Sequence, residues 1–380
     1  MNEKDKLLNY DSQFDKEEQE YAPGEEAVIS KPYDPNLVDV ISQPLTVQLL
    51  LSRIEHREID LTPAFQRKSG LWNPTQKSRL IESILIKIPL PVFYFDARDD
   101  DMWTIVDGLQ RTSTLDEFVI NEKWKLCNLE YLKELEGCSY SDLSRSMQRR
   151  IQECQLLTYC IRKGTPDDVT TSIFQRLNTG GLTLTKAEIR NCVYKGIAAD
   201  LVKDMAELSS FAKATRGTIS PDRMDDRDLA TRFLAFYLQG NEKYDGNMDA
   251  FMEKGLQIVK EENSPERANI VLNAFDKSME YSYALLGEKA FRKRTKSKNR
   301  TYGRINKSLF ECTACCMGRL TEKEMKKLVS RKDLFFEKYE KLFDGKFYDA
   351  VNSATGSIEH VNVRYEELGN LISEVIGGTE

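Results

Sequence analysis

The segment "TIVDGLQRTS" (residues 104–113) places a charged side chain where the chemistry of helices opposes it. An apolar stretch that reads as a buried strand ends here, and a helix begins directly after Gly108. Arg111 then lies in the first helical turn, where unpaired backbone amides already make the helix end positive. It is also in line with Leu115 and Phe118, an i, i+4, i+7 stripe that should face a core. Such a breach of local rules predicts a functional site at which an anion meets Arg111.

The composition of the chain is that of a globular protein with more than one domain. Its 380 residues, 40% of them hydrophobic, are enough for two or three domains and a large buried core. No apolar run approaches the roughly 18 residues of a membrane span, and the N-terminus has no apolar signal core. The eight cysteines have no regular spacing, which in a protein that is not exported indicates reduced thiols. We therefore expect a cytoplasmic protein that does not enter a membrane.

Charge is distributed unevenly along the chain. Residues 1–30 hold nine acidic and three basic side chains and few apolar ones, which predicts an acidic, disordered tail. Residues 289–307 hold nine lysines and arginines and no acid. That run is either a solvated loop or a segment that contacts the DNA backbone. In the second case the DNA-binding residues would be Arg292, Lys293, Arg294, Lys296, Lys298 and Arg300.

The first part of the chain alternates helices with short strands. Residues 39–55 have a helical period, and a strand is predicted at 59–61. A second helix begins at a capping box formed by Asn73 and Gln76. Two strands around an acidic turn then predict a hairpin that ends at Asp107. Residues 31–165 are thus predicted to form an α+β domain.

The second part of the chain is helical in period almost throughout. A T-x-x-E capping box at Thr185–Glu188 begins a helix, and helical periodicity continues to the end of the chain. Residues 166–380 are thus predicted to form an all-α domain.

Several familiar catalytic sites are excluded by residue content. The sequence has neither a G-x-x-x-x-G-K-[ST] phosphate loop nor a G-x-G-x-x-G motif. Only two histidines are present, which argues against a His-Asn-His nuclease, a histidine metal site and a Ser-His-Asp triad. The C-x-x-C spacing of "CTACC" at 312–316 lies in an apolar stretch without a second pair, as expected of buried thiols.

Polar residues suited to a nucleotide recur where loops lead into helices. Arginine forks suit phosphate groups, and glutamine and asparagine suit a base or a sugar. An aspartate can hold Mg²⁺ through oxygen contacts. Each residue also has a structural interpretation, for example Asp107 as an N-cap or Glu188 as the acid of a capping box. The set consists of Gln66, Arg67, Asp107, Gly108, Gln110, Arg111, Arg176, Asn178, Glu188, Arg190 and Asn191.

Three blocks of the chain resemble one family. "VDGLQRTSTLDEF" is similar to the D-G-Q-Q-R-x-x-T-L signature of the ParB/sulfiredoxin-like domain of GmrSD-type, modification-dependent restriction proteins. "PAFQRKSGLWNPTQKSRLIESILIKIPLPVFYF" and "FQRLNTGGLTLTKAEIRNCVY" resemble two further blocks of that family. "MDDRDLATRFLAFY" and "NKSLFE" resemble its helical half. Leu109 departs from the signature, which has glutamine there, so one polar ligand contact would be lost or replaced.

The resemblance implies a nucleotide site whose NTP hydrolysis regulates an attached or partner nuclease in restriction or antiviral defence. Family members often carry a His-Asn-His domain, which this sequence lacks, so the resemblance implies a stand-alone sensor or NTPase. Asp107 would hold Mg²⁺ or orient water and, with Gln110 and Arg111, form the catalytic group. Nucleotide contacts would come from Gln66, Arg67, Gly108, Arg176, Asn178, Glu188, Arg190 and Asn191.

Two other functions stay open on the sequence. The same arginines would suit a DNA-binding module that does not hydrolyse nucleotides. A stand-alone ParB-like nuclease would need a metal held by carboxylates, and no second acid accompanies Asp107 in a matching motif. The nucleotide base, the DNA modification sensed, the partner nuclease and the oligomeric state are left undetermined.

Overall fold

The computed structural model describes residues 35–61, 72–177, 185–294 and 302–377, together with Phe14 and Glu20. The chain divides into two compact units, one formed by Tyr33–Val193 and one by Tyr194–Glu380 with Met1–Pro32. The sequence pattern predicts this boundary at residues 165/166. The later boundary arises because the helices after residue 166 contact each other and one of them contacts the N-terminal sheet.

A mixed five-stranded sheet forms the centre of the N-terminal unit. Its strand order is β1-β7-β4-β5-β3, in which β7 and β4 are parallel, as are β5 and β3, and the other neighbours are antiparallel. Strands β2 and β6 form a separate two-stranded antiparallel ladder. The strands are β1 (Val40–Ser42), β2 (Leu45–Thr46), β3 (Ile59–Asp60), β4 (Phe93–Ala97), β5 (Trp103–Asp107), β6 (Gln155–Leu156) and β7 (Thr158–Arg162).

The helices of this unit supply the rest of its hydrophobic core. Phe93, Phe95 and Ile105 of the sheet are buried together with Leu115 and Phe118, so the apolar part of the predicted stripe does face a core. The third helix continues as one π-helical turn over Asp116–Ile120. The helices are α1 (Val47–Glu55), α2 (Pro74–Leu85), α3 (Leu109–Leu115), α4 (Arg145–Gln152), α5 (Asp167–Leu177) and α6 (Lys186–Val193).

Local sequence signals located two helix starts correctly. Asn73 and Gln76 form a reciprocal capping box at the start of α2. At the start of α6, the Thr185 backbone N–H donates to the Glu188 carboxylate at 2.6 Å, and the Glu188 N–H donates to the Thr185 hydroxyl at 3.1 Å. Such boxes satisfy amides that have no partner inside the helix.

The prediction of one helix over residues 39–55 was wrong for its first half. Residues 40–42 and 45–46 are strands, and the helix begins at Val47. Pro44 lacks a backbone N–H, and β-branched Val40 and Ile41 favour the extended backbone. The apolar residues of this stretch therefore belong to strands before Val47 and to a helix after it.

The C-terminal unit is helical, with one short hairpin formed by β8 (Arg292–Arg294) and β9 (Tyr302–Ile305). The predicted α+β fold followed by an all-α region is confirmed. Among the described helices, none is both long and apolar enough to cross a bilayer. The helices are α7 (Ile197–Glu207), α8 (Ser209–Thr215), α9 (Asp225–Gln239), α10 (Met248–Glu262), α11 (Pro265–Leu286), α12 (Lys307–Gly318), α13 (Glu322–Ser330), α14 (Lys332–Leu342), α15 (Lys346–Ala350) and α16 (Ile358–Gly377).

Most of the predicted acidic tail, residues 1–30, lies outside the described residues. Its two described members both contact the C-terminal unit. Phe14 forms a parallel β-bridge with Ile305, and Glu20 forms an ion pair with Arg232.

Candidate functional site

A cleft of about 580 Å³ lies beside the C-terminal end of β5 in the N-terminal unit. Helix α2, the loop that leads into β4, the end of β5 and the last residue of α5 form its walls. Its lining combines apolar side chains with a smaller number of polar and charged ones, as is usual for sites that bind small molecules. The lining residues are Trp72, Gln76, Arg79, Leu80, Ser83, Ile88, Pro89, Leu90, Pro91, Asp107, Arg111 and Leu177.

The turn between β5 and α3 requires glycine. Gly108 has a φ of +105°, a region that side chains disfavour. A Cβ atom on Gly108 would also lie 2.6 Å from Cδ1 of Phe93. This close approach lets the chain reverse immediately after the strand, so that the half-exposed Asp107 side chain lines the cleft.

Arg111 already has acceptors within its own unit. Its Nη2 donates to Oδ2 of Asp107 at 2.8 Å and to the Val92 carbonyl at 3.2 Å, and Nη1 donates to the Pro91 carbonyl. The guanidinium carbon lies 4.3 Å from the centre of the Phe93 ring. Burial lowers the pKa of Arg111, and the attraction of Asp107 opposes that shift only in part. The anion that the position of Arg111 predicts is therefore the Asp107 carboxylate.

Arg79 is a second cation that lines the cleft, in addition to Arg111. It is exposed on α2, lines the cleft, and forms no ion pair with any residue in the described part of the chain. Gln76 and Ser83 line the cleft from the same helix, and the indole of Trp72 lies just before it. Sequence analysis missed this wall. The signal was the i, i+3, i+7 spacing of Gln76, Arg79 and Ser83, which puts three polar side chains on one face of the helix.

The other two residues of the signature do not line the cleft. Gln110 is half-buried, and its backbone carbonyl accepts a hydrogen bond from the Thr114 hydroxyl at 2.7 Å. Leu109 is half-buried and packs against the hydrophobic core. The leucine that departs from the signature thus contributes to packing.

The predicted nucleotide contacts that follow residue 165 belong to the same unit as Asp107. Arg176 is exposed at the end of α5, next to Leu177, which lines the cleft. Glu188 and Arg190 are buried in α6, where Glu188 serves the capping box, and Asn191 is half-buried. Three further predicted residues, Gln66, Arg67 and Asn178, lie outside the described residues.

A metal ion in this cleft would depend on ligands beyond protein side chains. Within the described ranges, no group of three or more histidine, cysteine, aspartate or glutamate residues could hold one. Asp107 is the acidic lining residue, and one of its oxygens is engaged by Arg111. That fits Mg²⁺, which is commonly held by one or two carboxylates while phosphate oxygens and water complete its coordination.

Three of the six predicted DNA-contacting residues are described, and their side chains are turned into the C-terminal unit, which contradicts DNA contact at Arg292, Lys293 and Arg294. Arg292 is 6% exposed and donates to the Thr215 carbonyl at 3.2 Å. Lys293 is 2% exposed and donates to the Asn352 side chain. Arg294 pairs with Asp344 and, at 3.9 Å, with Glu340. Lys296, Lys298 and Arg300 lie outside the described residues.

The geometry defines a protein with an α+β unit that carries a small-molecule cleft and a second unit built from helices. Residues 47–195 match the family model described as GmrSD restriction endonuclease, N-terminal domain. This stretch of the chain is therefore similar to the N-terminal domain of GmrSD-type restriction proteins, and it contains every residue that lines the cleft. No curated protein matches the chain.

Proposed function

We propose that the N-terminal unit binds a nucleoside triphosphate with Mg²⁺ in the cleft beside Asp107, as part of a restriction or antiviral defence system. The observation that carries the proposal is the pairing of Arg79, a cation without an ion-pair partner among the described residues, with a half-exposed carboxylate in one cleft. A phosphate chain bridged by Mg²⁺ satisfies both groups at once.

The cleft also suits the rest of a nucleotide. Its volume of about 580 Å³ falls within the range of sites for small ligands. The Trp72 indole offers a face on which a base can stack, and the Gln76 side-chain amide offers donors to a base or sugar. Gln76 already accepts from the Asn73 N–H at 3.0 Å, which fixes its side chain in place.

Asp107 and Arg111 have separate roles in this proposal. Bound Mg²⁺ would neutralise part of the phosphate charge, and Oδ1 of Asp107 would hold it or orient a water toward the terminal phosphate. Arg111 acts as a positioning residue, because it holds Asp107 Oδ2 at 2.8 Å and ties the carboxylate to the loop at Pro91 and Val92. Hydrolysis would then regulate a partner nuclease.

Calorimetric titration of the full chain with each of the four NTPs and Mg²⁺ tests binding. Replacement Arg79→Ala should weaken affinity by about tenfold or more, since a charge-assisted contact to phosphate is worth about 1.5–3 kcal/mol. Arg149→Ala is the matched control, because Arg149 is also an exposed helical arginine of this unit and does not line the cleft. Equal affinity of wild type and Arg79→Ala for every nucleotide would refute the proposal.

Phosphate release from the preferred nucleotide tests hydrolysis separately. Asp107→Asn should lose turnover and also weaken binding of the NTP with Mg²⁺, because the amide keeps the shape and removes the negative charge that holds the metal. Plasmid DNA incubated with the same samples and Mg²⁺ or Mn²⁺ should stay uncut. Nicking by the wild type that disappears in Asp107→Asn would instead favour a stand-alone nuclease.

A further inference from the structure

The C-terminal unit contains a buried network of charges that joins three of its helices, α9, α12 and α16. Arg364 and Glu311 are both fully buried, and Nε of Arg364 donates to Oε1 of Glu311 at 2.9 Å. The other oxygen of Glu311 accepts from Nη1 of Arg232 at 3.3 Å. Lys307 donates to Asp228 at 3.0 Å on the same side of the unit. These residues come from the two blocks "MDDRDLATRFLAFY" and "NKSLFE" together with α16.

The acidic N-terminal segment reaches this network at two points. Glu20 pairs with Nη2 of Arg232, which is only 6% exposed at its side chain. Six residues earlier, the Phe14 ring lies 4.4 Å from Nζ of Lys307 and Phe14 forms a β-bridge with Ile305. One anchor thus supplies a carboxylate to a buried guanidinium and the other supplies a ring face to an ammonium.

A glycine makes room for the backbone at the Glu20 anchor. The Gly356 N–H donates to the Glu20 carbonyl at 2.7 Å. A Cβ atom on Gly356 would lie 2.8 Å from that carbonyl oxygen and 3.1 Å from Cγ of Glu20. The φ of Gly356 is outside the positive region, so what this position excludes is a side chain in the path of the segment.

We propose that this surface, formed by Arg232, Ile305, Lys307 and Gly356, is a docking site for the chain's own acidic N-terminus. The segment that carries Phe14 and Glu20, here named the N-terminal strap, acts as a tethered ligand that is released by high salt. Its excess of acidic residues complements the two cations, and its two anchors differ in chemistry, so docking is specific. Release would uncover Arg232 and Lys307 to a competing anion.

Trypsin cleavage after Lys16, which lies between the two anchors in the sequence, reports release in the full chain. At low salt, Glu20→Gln and Gly356→Ala should each raise the cleavage rate by about tenfold, since proteolysis follows the released population. In 1 M NaCl the wild-type rate should rise toward that of Glu20→Gln and stay below it, because salt screens a partly buried ion pair less than an exposed one. Gly356→Ala should change less with salt, since its obstruction is steric.

Matched controls separate docking from general damage. Glu359→Gln removes an exposed glutamate near Gly356 in sequence, and Gly369→Ala adds a methyl group where nothing lies within 4 Å. Both variants should be cleaved within about twofold of the wild-type rate, because an exposed charge or an added methyl group in open space contributes little to stability. If Glu20→Gln lowers the unfolding temperature too far to interpret, Phe14→Ala decides, because it removes the second anchor without touching Arg232. Wild-type cleavage rates in Glu20→Gln, Gly356→Ala and Phe14→Ala would overturn the proposal.

Discussion

Two buried arginines in this protein each pair with a carboxylate, and the two pairs differ in how much charge is left uncompensated. Arg364 and Glu311 of the helical unit are fully buried, whereas Arg111 of the N-terminal unit is buried beside a half-exposed Asp107. Burial acts to lower the pKa of both arginines. Glu311 overrides it, so the pKa of Arg364 is raised, while Asp107 does not, so the pKa of Arg111 is lowered.

The difference separates structural from functional charge. Both carboxylate oxygens of Glu311 accept hydrogen bonds from arginines, and Arg364 also donates to the Thr355 carbonyl at 2.6 Å. This pair therefore has no capacity for a ligand. Only Oδ2 of Asp107 accepts from Arg111, and the Asp107 side chain lines a cleft that Arg79 also lines. A functional site is thus indicated by incomplete compensation of charge, more than by burial of an arginine.

The largest expected effect comes from breaking the complete pair. Arg364→Met should lower the free energy of unfolding by about 3–5 kcal/mol, because it leaves Glu311 charged and buried with one partner fewer. Unfolding in denaturant followed by far-UV circular dichroism measures this. NTP affinity should be unchanged, since the cleft lies in the other unit. The double replacement Arg364→Met with Glu311→Gln should recover part of the loss, and its failure to do so would contradict the account.

An intermediate effect is expected at the incomplete pair. Arg111→Ala should lower the free energy of unfolding of the N-terminal unit by about 2 kcal/mol, because the carbonyls of Pro91 and Val92 lose a buried donor. All three tryptophans, Trp72, Trp103 and Trp124, lie in this unit, so their fluorescence follows its unfolding specifically. NTP affinity should fall as well, since Asp107 loses the group that positions it.

Arg149→Ala serves as the control for this replacement and should stay within about 0.5 kcal/mol of wild type. An Arg111→Ala protein with unchanged stability would show that the guanidinium contributes to ligand contact alone. One with lower stability and unchanged NTP affinity would remove Arg111 from the site.

How far the sequence could predict this molecule depended on whether the deciding contacts are local. The capping boxes at Asn73 and Thr185 involve residues three apart, and sequence spacing identified both. The hairpin that ends at Asp107 was equally local. The prediction of DNA contact at Arg292 and Lys293 was wrong for the opposite reason. Both side chains donate to acceptors more than fifty residues away in the sequence, and a count of charges does not reveal such contacts.

The same limit applies to the site. Asp107 and Gly108 could be found because a strand, a tight turn and a helix meet within a few residues. Arg79 could not be assigned, because what matters is the lack of a partner among the described residues, and that follows only from tertiary packing. The comparison with the family signature predicts a lost polar contact at Leu109, whereas the half-buried side chain packs against the core.

The smallest expected effect tests that last point. Leu109→Gln restores the glutamine of the family signature at a half-buried position that does not line the cleft. It should lower the free energy of unfolding of the N-terminal unit by about 1 kcal/mol through lost apolar burial. NTP affinity should stay within about twofold of wild type, since 1.4 kcal/mol of new contact would be needed for a tenfold gain. Tryptophan fluorescence in denaturant and calorimetric titration measure the two quantities on the same samples. A tenfold gain in affinity would mean that the ligand extends past the cleft to the first turn of α3, and that incomplete compensation at Asp107 and Arg79 describes only part of the site.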